Sequence, residues 1–305
     1  MVIPTDLTKK DILEDLVLDP ERPGVWNFYN PKNLYLTDSQ GKLYLELMGD
    51  DRYTSRFHDP AEILIKNNSE RLVDYFKDDS ILIVDLGPGY PSKTFSIIDT
   101  LLARGKSVQY WAIDVNDHFC KIARDAIARR GVEESYAKKM LFENTAEAIR
   151  KAGIDYPKLI IIGLTFMNFD SEYILKLLAD CASHKSDVCL SAIECIGDID
   201  VERLMEGYKT NNARKFVFAP LSILGLVDNQ VEYAVSFRNQ RIETAFTLKR
   251  VPPKLKAHGV KDGDKIIAAI SYRYTAAQYE SLLKTKFEEN FIDRLNNTIL
   301  AISGR

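Results

Sequence analysis

The sequence predicts an α/β fold: a doubly wound parallel sheet with a second, β-containing lobe. Three observations predict it. Five short apolar runs between residues 80 and 194 alternate with helical periodicity. A Gly-Pro-Gly turn follows the first run directly. After Gly197 the alternation stops and strand-like stretches take over.

Over the first 60 residues, short helical and loop signals are broken by Pro20, Pro23 and Pro31. A helix is expected from Asp59, with Asp59 as cap, Pro60 in the first turn, and Ile63, Leu64 and Leu72 at helical intervals. Ser80 to Leu86 reads as a strand buried on both faces. The spacing then predicts a helix over 93–104, a strand over 108–114 and a helix over 117–130. A third strand is expected at Met140 to Glu143, with a helix at 146–151. A fourth strand at 159–163, a helix at 171–184 and a fifth strand at 187–194 complete the alternation. Beyond it, 201–208 reads as helix, and 231–237 and 242–249 as a hairpin around Arg238-Asn239-Gln240. The stretch 249–265 reads as a second hairpin loop, 265–274 as a strand, 275–286 as a helix and 297–302 as a last strand.

The chain has 305 residues, 46% hydrophobic and 28% charged, which is ordinary globular composition. A net charge of -3 gives no basic excess, so nucleic acid is disfavoured as a partner. Cys120, Cys181, Cys189 and Cys195 have no C-x-x-C spacing and read as reduced core thiols. No His/Asp/Glu cluster has ligand spacing, so no metal is expected. Neither a signal peptide nor a run of roughly 20 apolar residues is visible, so a cytoplasmic protein without membrane attachment is expected.

Chemistry concentrates in Val84-Asp85-Leu86-Gly87-Pro88-Gly89-Tyr90. An acidic residue ends a buried strand and a Gly-x-Gly turn leads into a helix. Glycines there let the backbone approach a ligand where a Cβ would clash. Open α/β sheets bind nucleotides beyond the carboxyl ends of their strands. Ser92 stands where the dinucleotide fingerprint needs Gly or Ala, and Pro91 breaks the phosphate-loop pattern before Ser92-Lys93-Thr94. Asp114 ends the second strand, where an acid accepts both ribose hydroxyls. Together these features resemble Rossmann-like class I S-adenosylmethionine methyltransferases. That resemblance assigns Gly87 and Gly89 to the methionine part, Asp114 to the ribose, and the turn with Phe142 and Asn144 to the adenine.

Four further segments resemble the histidine-specific Nα-methyltransferase family of ergothioneine synthesis. Leu43-Tyr44-Leu45-Glu46 with Asp51-Arg52-Tyr53-Thr54-Ser55-Arg56 is similar to its "LFxxI…EYYPTR". Residues 85–94 are similar to "ELGSGSSxKT", which places Ser92, Lys93 and Thr94 in the cofactor loop. Gly163 to Phe169 is similar to "GSTIGNF", and Ile270 to Thr275 to "ISYKYT". The resemblance implies an S-adenosylmethionine-binding domain over 59–198 plus 271–305 and a substrate lobe over 1–58 plus 199–270. It also implies that Asn168 and Tyr208 grip the substrate's carboxylate and amine, that Tyr53 lines the pocket, and that Ser271 reads the side chain. Tyr208 equally suits a packed helix residue, and Ser271 a core hydroxyl.

Three positions depart from the family. Ala269 stands where the imidazole-binding glutamate belongs, Thr244 replaces a pocket methionine, and Thr37 replaces an aromatic. Without a carboxylate to pair the imidazole N–H, selectivity for histidine is lost. The expectation is an N-methyltransferase acting on the amine of an amino acid or related small molecule other than histidine. Two alternatives stay open. One is a macromolecular methyltransferase using the lysines between 249 and 265; the other is a homologue that binds cofactor without turnover. No histidine base is indicated, since His58, His118, His184 and His258 carry no motif.

Overall fold

A computed structural model describes residues 9–51, 53–54, 58–197 and 201–304, with backbone alone for 9–11. Arg52, Ser55 and Arg56 of the N-terminal motif lie outside the described residues. The chain opens with α1 (Lys9–Glu14), β1 (Val17–Leu18), β2 (Val25–Asn27), a 3-10 turn (Pro31–Leu34) and α2 (Asp38–Met48). Next come α3 (Asp59–Asp74), β3 (Ser80–Leu86), α4 (Ser92–Ala103), β4 (Ser107–Asp114), α5 (Asp117–Ala128) and β5 (Glu134–Lys139). They are followed by α6 (Thr145–Lys151), β6 (Lys158–Ile162), α7 (Ser171–Cys181) and β7 (Val188–Glu194). The later part runs α8 (Val201–Met205), α9 (Asn211–Ile223), β8 (Val231–Arg238), β9 (Arg241–Leu248), α10 (Pro253–Ala257) and β10 (Lys265–Tyr272). It ends with α11 (Ala276–Leu283), β11 (Glu289–Leu295) and β12 (Thr298–Gly304).

These elements form two compact units, Thr54–Gly197 with Arg273–Arg305, and Met1–Tyr53 with Asp198–Tyr272. The first unit holds a seven-stranded sheet in the order β11-β12-β7-β6-β3-β4-β5. Strands β3 to β7 pair in parallel, while β12 runs antiparallel to β7 and β11 to β12. The chain reverses its direction of winding between β3 and β6, which opens a crevice at their carboxyl ends. Ile81, Ile83, Tyr110, Ala112, Leu159 and Ile161 alternate onto one face and pack against Leu64, Ile97 and Ala123 of α3, α4 and α5. Burial on both faces explains why β3 and β6 read as unbroken apolar runs.

The second unit carries a five-stranded sheet in the order β1-β2-β10-β9-β8. Its core joins Phe246, Leu248 and Ile266 to Phe216, Val217 and Leu221 of α9. Asn239 and Gln240, with φ of 48° and 58°, make the two-residue turn between β8 and β9. Positive φ at both central residues matches the twist that a tight hairpin needs.

Several expectations change. The third sheet strand is 134–139, not 140–143. Its sequence, ESYAKK, is polar because β5 is an edge strand and half exposed. Phe142–Asn144 is a 3-10 turn beyond the strand end. Asp59 is the first helical residue, with His58 at the cap position. Residues 201–208 split into α8 and a 3-10 turn, and 253–257 form a short helix inside the expected hairpin loop. Sequence reading missed α9, whose interior Pro220 reads as a breaker, and the polar strand β11.

Candidate functional site

The polar residues of the sheet unit gather at the carboxyl ends of β3, β4 and β6. Asp85 is fully buried, and its Oδ2 accepts from Thr94 Oγ1 at 2.8 Å and from the Tyr110 hydroxyl at 3.0 Å. Its Oδ1 is buried with no partner among the described residues. Burial raises the Asp85 pKa, while the charge of Lys93 opposes the rise. An orphaned carboxylate oxygen is costly unless a donor arrives to meet it.

Gly87 and Gly89 follow at φ of +66° and +55°, a region that side-chain-bearing residues avoid. A Cβ on Gly87 would stand 3.2 Å from Thr165 Oγ1 and 3.5 Å from Phe142 Cζ. The turn therefore sits close against Thr165, and a side chain at Gly87 would press on it. Ser92 opens α4 but gives its hydroxyl to Glu62 Oε2 at 2.7 Å. Thr94 is committed to Asp85. Lys93 reaches back across the crevice: its Nζ lies 2.6 Å from where a Gly163 Cβ would be. Burial pushes the His58 imidazole down to about 3, and Lys93 adds to the effect. His58 is therefore neutral near pH 7 and a poor proton acceptor.

Asp114 ends β4 with its Oδ1 accepting from the Asn116 backbone N–H at 2.8 Å. Burial raises its pKa to about 7, against the pull of two backbone hydrogen bonds. Phe142 stands against Phe169 at 5.9 Å between ring centroids, and Phe169 stacks on Tyr173 at 5.5 Å. Asn144 lies at the end of the same 3-10 turn, half-buried. The result is an aromatic wall beside the glycine turn, with the Phe142 ring tilted 48° to that of Phe169.

Asn168 ends the 3-10 turn Leu164–Asn168 after β6 and is half-buried. Its neighbour Met167 is held from beneath. The Met167 thioether accepts from the Glu194 N–H at 3.2 Å and from Arg273 Nη1 at 3.4 Å. Arg273 and Glu194 pair at 3.1 Å with almost no exposure of either side chain. Sequence reading missed this pair. The available signal was a charge at the end of an apolar strand, Glu194, and another inside the fourth family motif, Arg273.

The remaining candidates lie in the other unit. Tyr53 packs on its core, and the Tyr208 carbonyl accepts from the Tyr233 hydroxyl at 2.6 Å. Thr244 pairs with Ala269 across β9 and β10, at a bulge between Ile267 and Ala269. Thr244 Oγ1 donates to the Ala269 carbonyl at 3.2 Å, so its proton is committed to the backbone. Ser271 is buried opposite Ile242, on the sheet face that alternation gives to Thr244 and Phe246. Thr37 caps α2 in a capping box with Gln40. No group of three or more His, Cys, Asp or Glu able to hold a metal occurs among the described residues. No described helix is long and apolar enough to cross a membrane.

A family model described as "Histidine-specific methyltransferase, SAM-dependent" matches residues 30–293. Among solved structures, the chain is similar to magnesium protoporphyrin IX methyltransferase from Synechocystis PCC 6803 with bound SAH. Identity there is 11%, coverage 89% of this chain and 96% of that one, and the TM-score 0.45. It is also similar to DesVI from Streptomyces venezuelae, at 10% identity, 88% and 98% coverage and a TM-score of 0.39. No curated protein matches. Likeness at this level says nothing about a substrate.

Proposed function

Because the chain belongs to the histidine-specific, S-adenosylmethionine-dependent methyltransferase family, we propose that it methylates the amine of an amino acid or related small molecule other than histidine. The cofactor, S-adenosylmethionine, supplies an electrophilic methyl group on a sulfonium. The residues present fit it. Asp85 offers a buried oxygen without a partner among the described residues, and Gly87, at positive φ, has no Cβ to hold a ligand off its backbone. In this reading Gly87, Gly89 and Lys93 hold the methionine part, Asp114 the ribose, and Phe142 with Asn144 the adenine. Ser92 and Thr94 act indirectly, by fixing the start of α4 to Glu62 and Asp85.

An N–C bond forms as the S–C bond breaks, so the amine must first give up a proton. His58, held neutral with a low pKa, is unsuited to take it. The work left to the protein is orientation. Asn168 offers an amide donor and acceptor to the substrate's amino-acid end, and Tyr53 and Tyr208 contribute hydroxyls.

One observation carries the substrate choice. At the position of the family's imidazole-binding carboxylate stands Ala269, and its partner Thr244 gives its hydroxyl proton to the Ala269 carbonyl. At that position the wall offers the Ala269 methyl group in place of a carboxylate that would pair an imidazole N–H. It lies against a core rich in aromatic rings, including Phe216, Tyr233 and Phe246. An apolar or aromatic side chain suits it. The basic stretch 249–265 gives less support to a macromolecular substrate. Asp262 and Asp264 are interspersed there and bind its backbone N–H groups at Val251 and Lys261.

The test is S-adenosylhomocysteine release with histidine, phenylalanine, tyrosine and tryptophan, on wild type and Ala269→Glu. Wild type should favour the aromatic acids, and the variant should gain histidine turnover. Wild-type preference for histidine would overturn the substrate reading. Cofactor binding without turnover of any amine would point to a non-catalytic homologue.

A further inference from the structure

A second concave site lies on the sheet unit, along its β4–β5 edge, and shares no residue with the glycine turn. It is a groove of about 230 Å³ bounded by Gln109, Trp111, Tyr136, Lys138, Ile154 and Tyr156. Pockets for drug-sized ligands start near ~300 Å³, so this one suits a single ring.

Three features define what it would hold. The first is aromatic: Trp111 and Tyr136 are cross-strand partners, and Tyr156 stands on the rim. The second is a cation with no ion-pair partner among the described residues. Lys138 Nζ sits 3.9 Å above the Trp111 ring centroid and 5.6 Å from that of Tyr136. Burial alone lowers its pKa; no neighbouring charge contributes. The third is an acceptor without a donor. Gln109 Nε2 donates to Glu134 Oε2 at 2.6 Å. A carboxylate only accepts, so that bond fixes the amide's orientation and turns Oε1 the other way. Oε1 is buried and has no partner among the described residues. In the strand register Gln109, facing Glu134, and Lys138, facing Ile113, flank the Trp111–Tyr136 pair, and the Lys138 side chain turns back over the Trp111 ring.

We propose that this groove binds a small aromatic monoanion bearing a hydrogen-bond donor at the end of the ring opposite its carboxylate. The carboxylate meets Lys138 where it covers Trp111, the ring lies against Tyr136 and Tyr156, and the donor satisfies Gln109 Oε1. A monoanion is specified because one ammonium is available. Glu134 and Asp155 both act on the neighbouring Tyr156 and would repel a phosphate dianion.

The proposal does not depend on the methyl-transfer reading, and its test needs no turnover. The chain has two tryptophans, so Trp26→Phe leaves Trp111 as the single fluorescent reporter. Titration with 4-hydroxybenzoate should give a saturable change. Neutral 4-hydroxybenzamide, or Lys138→Met with the acid, should bind about tenfold more weakly, the effect of losing one charge-assisted hydrogen bond. Benzoate, which lacks the donor, should weaken comparably on wild type, and Gln109→Leu should no longer distinguish it from 4-hydroxybenzoate. Calorimetry on the protein with Trp26 intact gives the same series if the reporter variant misfolds. No saturable binding of 4-hydroxybenzoate at millimolar concentration would overturn the proposal. So would equal affinity for acid and amide.

Discussion

Asp114 shows how a single buried carboxyl ties binding to stability. Its pKa of about 7 lies above the ordinary 3.8, so the folded protein without ligand prefers it protonated. Stability from this group is greatest below about pH 4 and is lost as pH rises toward 7. Ribose hydroxyls, in contrast, need the carboxylate as acceptor. Cofactor affinity should therefore fall about tenfold per pH unit below pH 7, measured calorimetrically, until the complex's own lower pKa is reached. Asp114→Asn should remove both effects. It should bind S-adenosylmethionine poorly yet exceed wild type in stability at pH 8, by up to about 4 kcal/mol, with the gap closing by pH 4. Urea melts at the two pH values measure this. Gly87→Ala tests the turn itself. A side chain at φ +66° costs about 1–2 kcal/mol, and the new methyl meets Thr165. The expected outcome is loss of cofactor affinity of about tenfold or more alongside a modest loss of stability. Equal affinity in the variant would mean that the turn does not approach the ligand.

Legibility at the element scale followed burial. Strands β3, β4, β6 and β7 lie inside the sheet and announce themselves as apolar runs. The edge strands β5 and β11 are polar, ENFIDRL and ESYAKK alike, because half their side chains meet solvent. An apolar run at 140–142 therefore drew the strand assignment away from its true place. The hairpin between β8 and β9 offers a direct test. Gln240 holds φ of 58° without being glycine. Gln240→Gly should relieve that strain and raise stability by about 0.5–1 kcal/mol, read as a shift in urea midpoint. A drop in the midpoint would mean that the Gln240 side chain contributes more than its backbone costs.

At the scale of the molecule, discontinuity governs. Each compact unit is assembled from two stretches of chain, and the sheet unit regains its second stretch at Arg273. That residue is fully buried and paired with Glu194 at the end of β7, and Tyr274 bridges Cys195 in parallel beside it. The pair staples the returning chain to the sheet and supports Met167 beneath the Asn168 turn. Removing one partner strands a buried charge, so Arg273→Met should cost about 3–5 kcal/mol. Replacing both with apolar residues of similar volume should recover most of that loss. A double-mutant cycle in urea would measure the coupling, and additive losses would deny it.

The sequence by itself determined the sheet class, the glycine turn, the acid at the end of β4 and hence the cofactor, because these are local patterns of period, turn and strand end. The order of its motifs also carried the family. Only the tertiary structure decided which polar groups lie without partners, such as Asp85 Oδ1 and Gln109 Oε1. It alone set Thr244 against Ala269 across a bulge, closed Arg273 on Glu194 and raised Lys138 over Trp111. The physical reason is the same in each case. Hydrogen bonds, ion pairs and burial join residues from different strands and segments, and local periodicity cannot report a partner that arrives from a distant part of the chain.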